Sequence, residues 1–223
     1  MAKILLRGQL HQKKNVKQGL EYLKKAADKE GRESAEPAFV LSCVYADDLE
    51  QVGLTGDPTF PSRNVPLAMY YLKKAEQLGL LAAWHQLGLV YQEGLLECKP
   101  DLTEAFHYFA KAAENGHEPA MVSLSYLYAQ GIQGYLNPHS DMAFKWCQRA
   151  ADQGLAQAEY ILGTCYETGN GVPADYARAL EYFGKAASKG YLPAREKLNL
   201  PGTNKTPTLA AQSRLEPSNC SIM

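Results

Sequence analysis

The sequence predicts an all-α array of stacked small units, and three regularities carry that prediction. A Tyr or Trp stands four residues before an Ala at Tyr22/Ala26, Tyr71/Ala75, Tyr108/Ala112, Trp146/Ala150 and Tyr182/Ala186, and the last four of these aromatics are spaced by 37, 38 and 36 residues. Self-similarity at such a period marks repeated units that bury their apolar faces against one another. A second column pairs Leu with a small residue, and a third places Asn or Asp ahead of an apolar helical stretch.

The first helix of each unit is defined by Leu41, Leu87, Leu124 and Leu162, each followed by Ser42, Gly88, Ser125 or Gly163 and then, four residues after the Leu, by Tyr45, Tyr91, Tyr128 or Tyr166. Residues i and i+4 share a helical face, so Leu and Tyr form one stripe, and the small residue lets a neighbouring helix approach. Gly94, Gly131 and Gly169 follow the Tyr and suit the turn that ends the helix.

The second helix opens at Asn15, Asn64, Asp101 and Asp175, whose side-chain oxygens are preferred acceptors for an orphan backbone N–H; Asp101 and Glu104 approximate a capping box. His139 breaks this column, and Ser140 or Asp141 is expected to substitute. The helix closes on Gly31, Gly79, Gly116, Gly154 or Gly190. Between Tyr45 and Asn64 lie 18 residues where later units spend eight to ten. This 46–63 insertion is either a tolerated excursion or a partner contact.

Composition narrows the function. The 223 residues are 46% apolar and 21% charged, as in folded globular proteins. The balance of 23 basic and 24 acidic residues lacks the cationic excess that phosphate binding requires, which argues against nucleic acid as a partner. The apolar run at the N-terminus is too short for a signal peptide, and no stretch approaches the roughly 18 apolar residues of a membrane span, so a cytosolic location is expected. Five cysteines without a C-x-x-C pair read as reduced thiols.

No catalytic, metal or cofactor site is expected. The five histidines are scattered, without H-E-x-x-H or zinc spacing. His117, after the turn glycine Gly116, reads as a packing residue, and Gly169-Asn170-Gly171-Val172-Pro173 reads as a turn rather than a phosphate loop. The carboxylate pairs Asp47/Asp48 and Glu30/Glu33 read as solvated faces.

The segment Ala158–Tyr191, AEYILGTCYETGNGVPADYARALEYFGKAASKGY, resembles a Sel1-like repeat nearly position for position, and AAWHQLGLVYQEG and AFHYFAKAAENGH resemble its two halves. The resemblance covers residues 5–198. It implies a right-handed α-solenoid of antiparallel helix pairs, related to tetratricopeptide arrays, over a domain of residues 1–198 whose first unit is incomplete. On that analogy the column Phe39, His85, Val122, Tyr160 and the next step, Cys43, Leu89, Tyr126, Thr164, line a concave groove for a helix or extended peptide. The alternative, weighed equally, is that these side chains pack on the second helix of their own unit.

Residues 199–223, with Pro201, Gly202, Pro207 and Pro217, read as a disordered tail. The tail ends Cys220-Ser221-Ile222-Met223, matching a C-a-a-X box that favours farnesylation of Cys220 by protein farnesyltransferase. One prenyl chain holds a membrane only marginally, so a partner already in the membrane would supply the second anchor.

Sel1-like repeats followed by such a tail resemble the fungal chitin synthase regulatory factors. That resemblance implies a non-enzymatic activator that binds a membrane chitin synthase and acts at the cytoplasmic face of the plasma membrane, at septa or growing wall. A generic Sel1-repeat scaffold in signalling or quality control is the second reading. A repeat-bearing hydrolase is the third, disfavoured because the cysteines do not recur at a stapling interval.

Overall fold

The computed structural model describes residues 15–54 and 60–200, so the start of the first unit and the whole tail beyond Leu200 lie outside it. The helices are α1 (Val16–Ala27), α2 (Ala35–Ala46), α3 (Val65–Gln77), α4 (Leu81–Glu93), α5 (Leu102–Glu114), α6 (Glu118–Gln130), α7 (Ser140–Asp152), α8 (Ala156–Thr168), α9 (Tyr176–Ser188) and α10 (Leu192–Lys197). Among the described residues there is no strand, only one isolated bridge between Ile132 and Leu136. A first compact unit ends at Leu80 and a second begins at Leu81.

In the first unit α2 is apolar all round, because it lies between α1 and α3 and every residue from Ala38 to Tyr45 is buried. Tyr45 stacks on Tyr71 of α3, ring centroids 5.9 Å apart. Leu49 and Leu54 are also buried, on either side of a 3₁₀ turn at Glu50–Val52, so the 46–63 insertion begins as packed chain. Residues 55–59 are outside the described set.

The second unit stacks α4/α5, α6/α7 and α8/α9, with the short α10 against α9. The small-residue column works as expected and shows its cause. A Cβ on Gly88 would overlap the Phe109 ring, and one on Gly163 would overlap Phe183. In the pair between them, Ser125 replaces Gly, the opposing residue shrinks from Phe to Cys147, and the Cys147 thiol donates to Ser125 Oγ at 3.0 Å. A larger residue than Gly is thus accommodated at this column where the residue opposite is smaller than Phe. Tyr91 stacks on Tyr108 and Tyr166 on Tyr182, each within 10° of parallel.

The cap column holds at Asn15, Asn64, Asp101 and Asp175, whose side chains accept from Gln18, Leu67, Thr103 and Glu104, and Arg178 backbone N–H groups at 2.9–3.1 Å. The expected substitutes for the missing cap of α7 do not serve. His139 itself is the N-cap residue and makes no cap bond; Ser140 begins the helix, and Asp141 turns its carboxylate to His139 Nδ1 at 3.1 Å. Gly131 shows why its turn takes glycine: its φ is +74°, and a Cβ would stand 2.7 Å from the Leu136 carbonyl oxygen.

Candidate partner-binding face

The predicted lining residues divide by depth. Phe39, in the first unit, is buried at 7% exposure. His85 and Val122, in the second, are buried as well, whereas Leu89, Tyr126 and Tyr160 are half-buried on α4, α6 and α8. The earlier step of the column therefore fills the interior at three of its four positions. The later step reaches the surface from α4 onward.

His85 joins α4 to α6. Its Nε2 lies 3.2 Å from Ser123 Oγ, and that hydroxyl donates to the Pro119 carbonyl at 3.2 Å. A serine has one hydrogen to give, so while Ser123 donates to Pro119 it can only accept from His85, with Nε2 carrying the proton. Burial, with His117 close by, pushes the His85 imidazole down to about 3. The His117 ring sits 5.0 Å from that of His85 and is also held below its ordinary value by burial. Two neutral imidazoles pack here where two charged ones could not.

Tyr126, Tyr160 and Tyr191 cluster beside Cys165. Burial, then the neighbouring Cys147 and Tyr191, pushes the Tyr126 hydroxyl above its ordinary range, so it remains a neutral donor. Tyr160 tilts against Phe183 and Tyr191, with centroids 5.4 and 5.5 Å away. Burial raises the Cys147 and Cys165 thiols to about 12 and about 11.

Charge is segregated by helix. No Lys or Arg occurs in α2, α4, α6 or α8, while each of α1, α3, α5, α7 and α9 carries at least one. In the second unit Glu93 stands four residues after Leu89 and Glu167 seven after Tyr160, which puts each pair on one helical face, and Glu118 stands two turns before Tyr126 at the start of α6. Glu167 is neutralised by Lys197 at 2.9 Å. The fourth acid of these helices, Glu159, is buried; Lys189 holds one of its oxygens at 2.7 Å and the other has no hydrogen-bond partner.

Sequence reasoning missed two devices. His117 is the N-cap of α6, its Nδ1 accepting the Ala120 N–H at 3.3 Å, a role the turn glycine before it disguised. Lys189 also donates to the Gly154 carbonyl at 2.8 Å, tying one repeat to its predecessor. Gln153 stands at the same position one unit earlier, and with its amide oxygen and nitrogen exchanged, as the surrounding acceptors require, it donates to Gly116 O and Glu118 Oε1 at 3.2 Å each. Both residues immediately precede a closing glycine, and that shared register was the available signal.

Among the described residues no group of three or more His, Cys, Asp or Glu could hold a metal ion, and no helix is long and apolar enough to cross a membrane. Cys220 lies outside the described residues.

The Sel1 repeat family model matches residues 1–30, 51–80, 82–117, 119–155 and 156–191. Chitin synthase regulatory factor 3 of Schizosaccharomyces pombe is 31% identical over 100% of this chain and 23% of its own length. Chitin synthase regulator SKT5 of Malassezia restricta is 30% identical over 87% of the chain and 13% of its own length, and the Saccharomyces cerevisiae SKT5 is 27% identical over 76% and 23%. The chain spans about a quarter or less of these relatives. Among solved structures, a Sel1 repeat protein from Oxalobacter formigenes superposes with a TM-score of 0.72 at 24% identity, covering 93% of this chain and 78% of that one. The Escherichia coli antigen c5321, an SLR fold, gives 0.68 at 28% identity over 80% and 35%.

Proposed function

The chain belongs to the Sel1 repeat family, and from that premise we propose that it is a non-catalytic adaptor that binds and activates a membrane chitin synthase. The observation that carries this is the match to a chitin synthase regulatory factor along the full chain at 31% identity. An all-helical repeat array whose half-buried apolar face carries Leu89, Tyr126 and Tyr160 offers the extended surface that such a role needs.

Farnesylation of Cys220 is the second part of the proposal. The thiolate would displace diphosphate from C1 of farnesyl diphosphate to form a thioether, after which Ser221–Met223 would be removed and the new carboxylate methylated. The lipid adds a weak hold on the cytoplasmic leaflet, and the synthase supplies the rest. The adaptor would then act at septa or growing wall, with a repeat domain of residues 1–198 carrying residues 199–223 as a tether.

The test is a pull-down from a fungal membrane extract with tagged full-length chain, blotted for chitin synthase, alongside intact-mass measurement of the protein from a eukaryotic host. Co-purification with the synthase, and a mass raised by farnesyl and methyl and lowered by three residues, are expected. Absence of the synthase would leave a Sel1-repeat scaffold for another partner, and an unmodified mass would remove the lipid.

A further inference from the structure

We propose that the face built by α4, α6 and α8 takes a cationic segment of its partner, in which Lys or Arg alternates with apolar or aromatic side chains. This deepens the adaptor reading by stating the chemistry of what is bound, and it rests on that reading only for the existence of a protein partner.

The three helices supply no positive charge of their own, and of their half-exposed apolar positions Leu89, Tyr126 and Tyr160, Leu89 has Glu93 one turn beyond it on its own face while Glu118 opens α6 two turns before Tyr126. The cations of this unit instead stand on α5, α7, α9, α10 and the turns at Lys99 and Lys189, with Lys111 over Trp84 of α4, Arg149 over Trp146 and Lys185 over Tyr182. Lys189 and Lys197 neutralise Glu159 and Glu167, so among the described residues the acids of these helices without an ion pair are Glu93, one turn beyond Leu89, and Glu118, at the start of α6.

That distribution selects among occupants. An acidic segment would meet these carboxylates with no Lys or Arg on the three helices to receive it, whereas a cationic one gains Coulomb attraction at the rim while burying apolar stems across the tyrosines. The Tyr rings also accept a cation on their faces. Tyr126, held neutral, can donate to a backbone carbonyl of the bound segment. An apolar and tyrosine-bearing column with acids at its margins is matched by a basic, partly apolar peptide and by neither a phosphate backbone nor an acidic tail.

A random 16-residue phage-display library selected on the immobilised full chain tests this, followed by fluorescence anisotropy with the enriched peptides. Enriched sequences should carry net positive charge and aromatic or branched apolar residues. Glu93→Lys should weaken their binding about tenfold or more, and so should Glu118→Gln by a smaller factor, with salt reducing the parent's affinity. Glu93 is exposed in the last turn of α4, where a lysine favours the helix, so this variant keeps its fold. Glu114→Lys, the equivalent reversal on α5, is the control and should change affinity less than about twofold. Acidic or neutral enriched peptides, no enrichment, or an equal loss in Glu114→Lys would overturn the proposal. A chain that binds cationic peptides through this face yet does not retain chitin synthase would refute the adaptor's named partner and leave this inference standing.

Discussion

Cys147 donates its thiol hydrogen to Ser125 Oγ at 3.0 Å, at the point where the flanking helix pairs set a phenylalanine ring against a glycine. The same gap between helices is filled by Gly with Phe in two repeats and by Ser with Cys in the one between. A larger residue at the first position therefore goes with a smaller one opposite it.

Gly88→Ala should destabilise the protein despite alanine's better helix propensity. Overlap with the Phe109 ring costs about 1–3 kcal/mol, and the propensity gain of about 1 kcal/mol offsets only part of it. Gly184→Ala, which meets nothing within 4 Å, should stabilise by up to about 1 kcal/mol. Urea denaturation of both variants gives the comparison, and a Gly88→Ala, Phe109→Leu double variant should recover part of the loss.

His85 gives stability a dependence on pH. Its folded-state value of about 3 lies below the ordinary 6.5, so on acidification the unfolded chain takes up a proton that the folded chain refuses. Its contribution is present above about 6.5 and is lost as pH falls towards 3. Denaturation midpoints measured across that interval should fall with pH, and His85→Leu should flatten the slope by up to about one proton.

Lys189→Ala should cost about 2 kcal/mol, because it leaves the buried Glu159 carboxylate without its counter-ion, discounted for a lysine that is 40% exposed. Glu159→Met with Lys189→Gln installs the residues of the equivalent positions in the preceding unit, Met121 and Gln153, and should restore most of the loss. A double-mutant cycle by thermal denaturation checks it; additive losses would show that the ion pair is not a coupled unit.

Cys43, Cys147 and Cys165 should resist alkylation in the native protein. Burial raises Cys43 and Cys147 to about 12 from the ordinary 9.0, which lowers their thiolate fraction about a thousandfold at neutral pH. Iodoacetamide labelling followed by peptide mass spectrometry should show all three thiols reacting only after denaturant is added.

His139→Asp should stabilise α7 by about 0.5–1 kcal/mol. The backbone at 139, with φ −141° and ψ 86°, resembles that at Asp101 and Asp175, and only the accepting oxygen is missing. Thermal denaturation would register the gain, and no change would mean that Asp141 already offsets the uncapped helix end.

Much of the fold could be read from the chain because each repeat solves the same packing problem with the same residue types. The Leu, small-residue and Asn/Asp columns report contacts within one helix pair, and Leu41, Leu87, Leu124 and Leu162 are all essentially inaccessible. What lay beyond reach were contacts set by the neighbouring repeat. Whether His85 faces solvent depends on Ser123 and His117 one repeat away, and whether a histidine caps a helix depends on a backbone angle that its identity does not announce. The repeat columns picked out Phe39 in the first unit and His85, Leu89, Tyr126 and Tyr160 in the second as candidate lining positions but gave no depth for them, because exposure is decided by helix spacing rather than by residue type.

The reach of Lys189 to Gly154, and of Gln153 to Gly116, spans one repeat and no further. Cohesion along the second unit is therefore short-sighted: each pair of helices grips the one before it and is indifferent to the rest. Under tension applied between its ends, such a chain yields by peeling in sequence, one link at a time, and a tethered protein drawn between a membrane and a moving partner would act as an extensible strap before it broke.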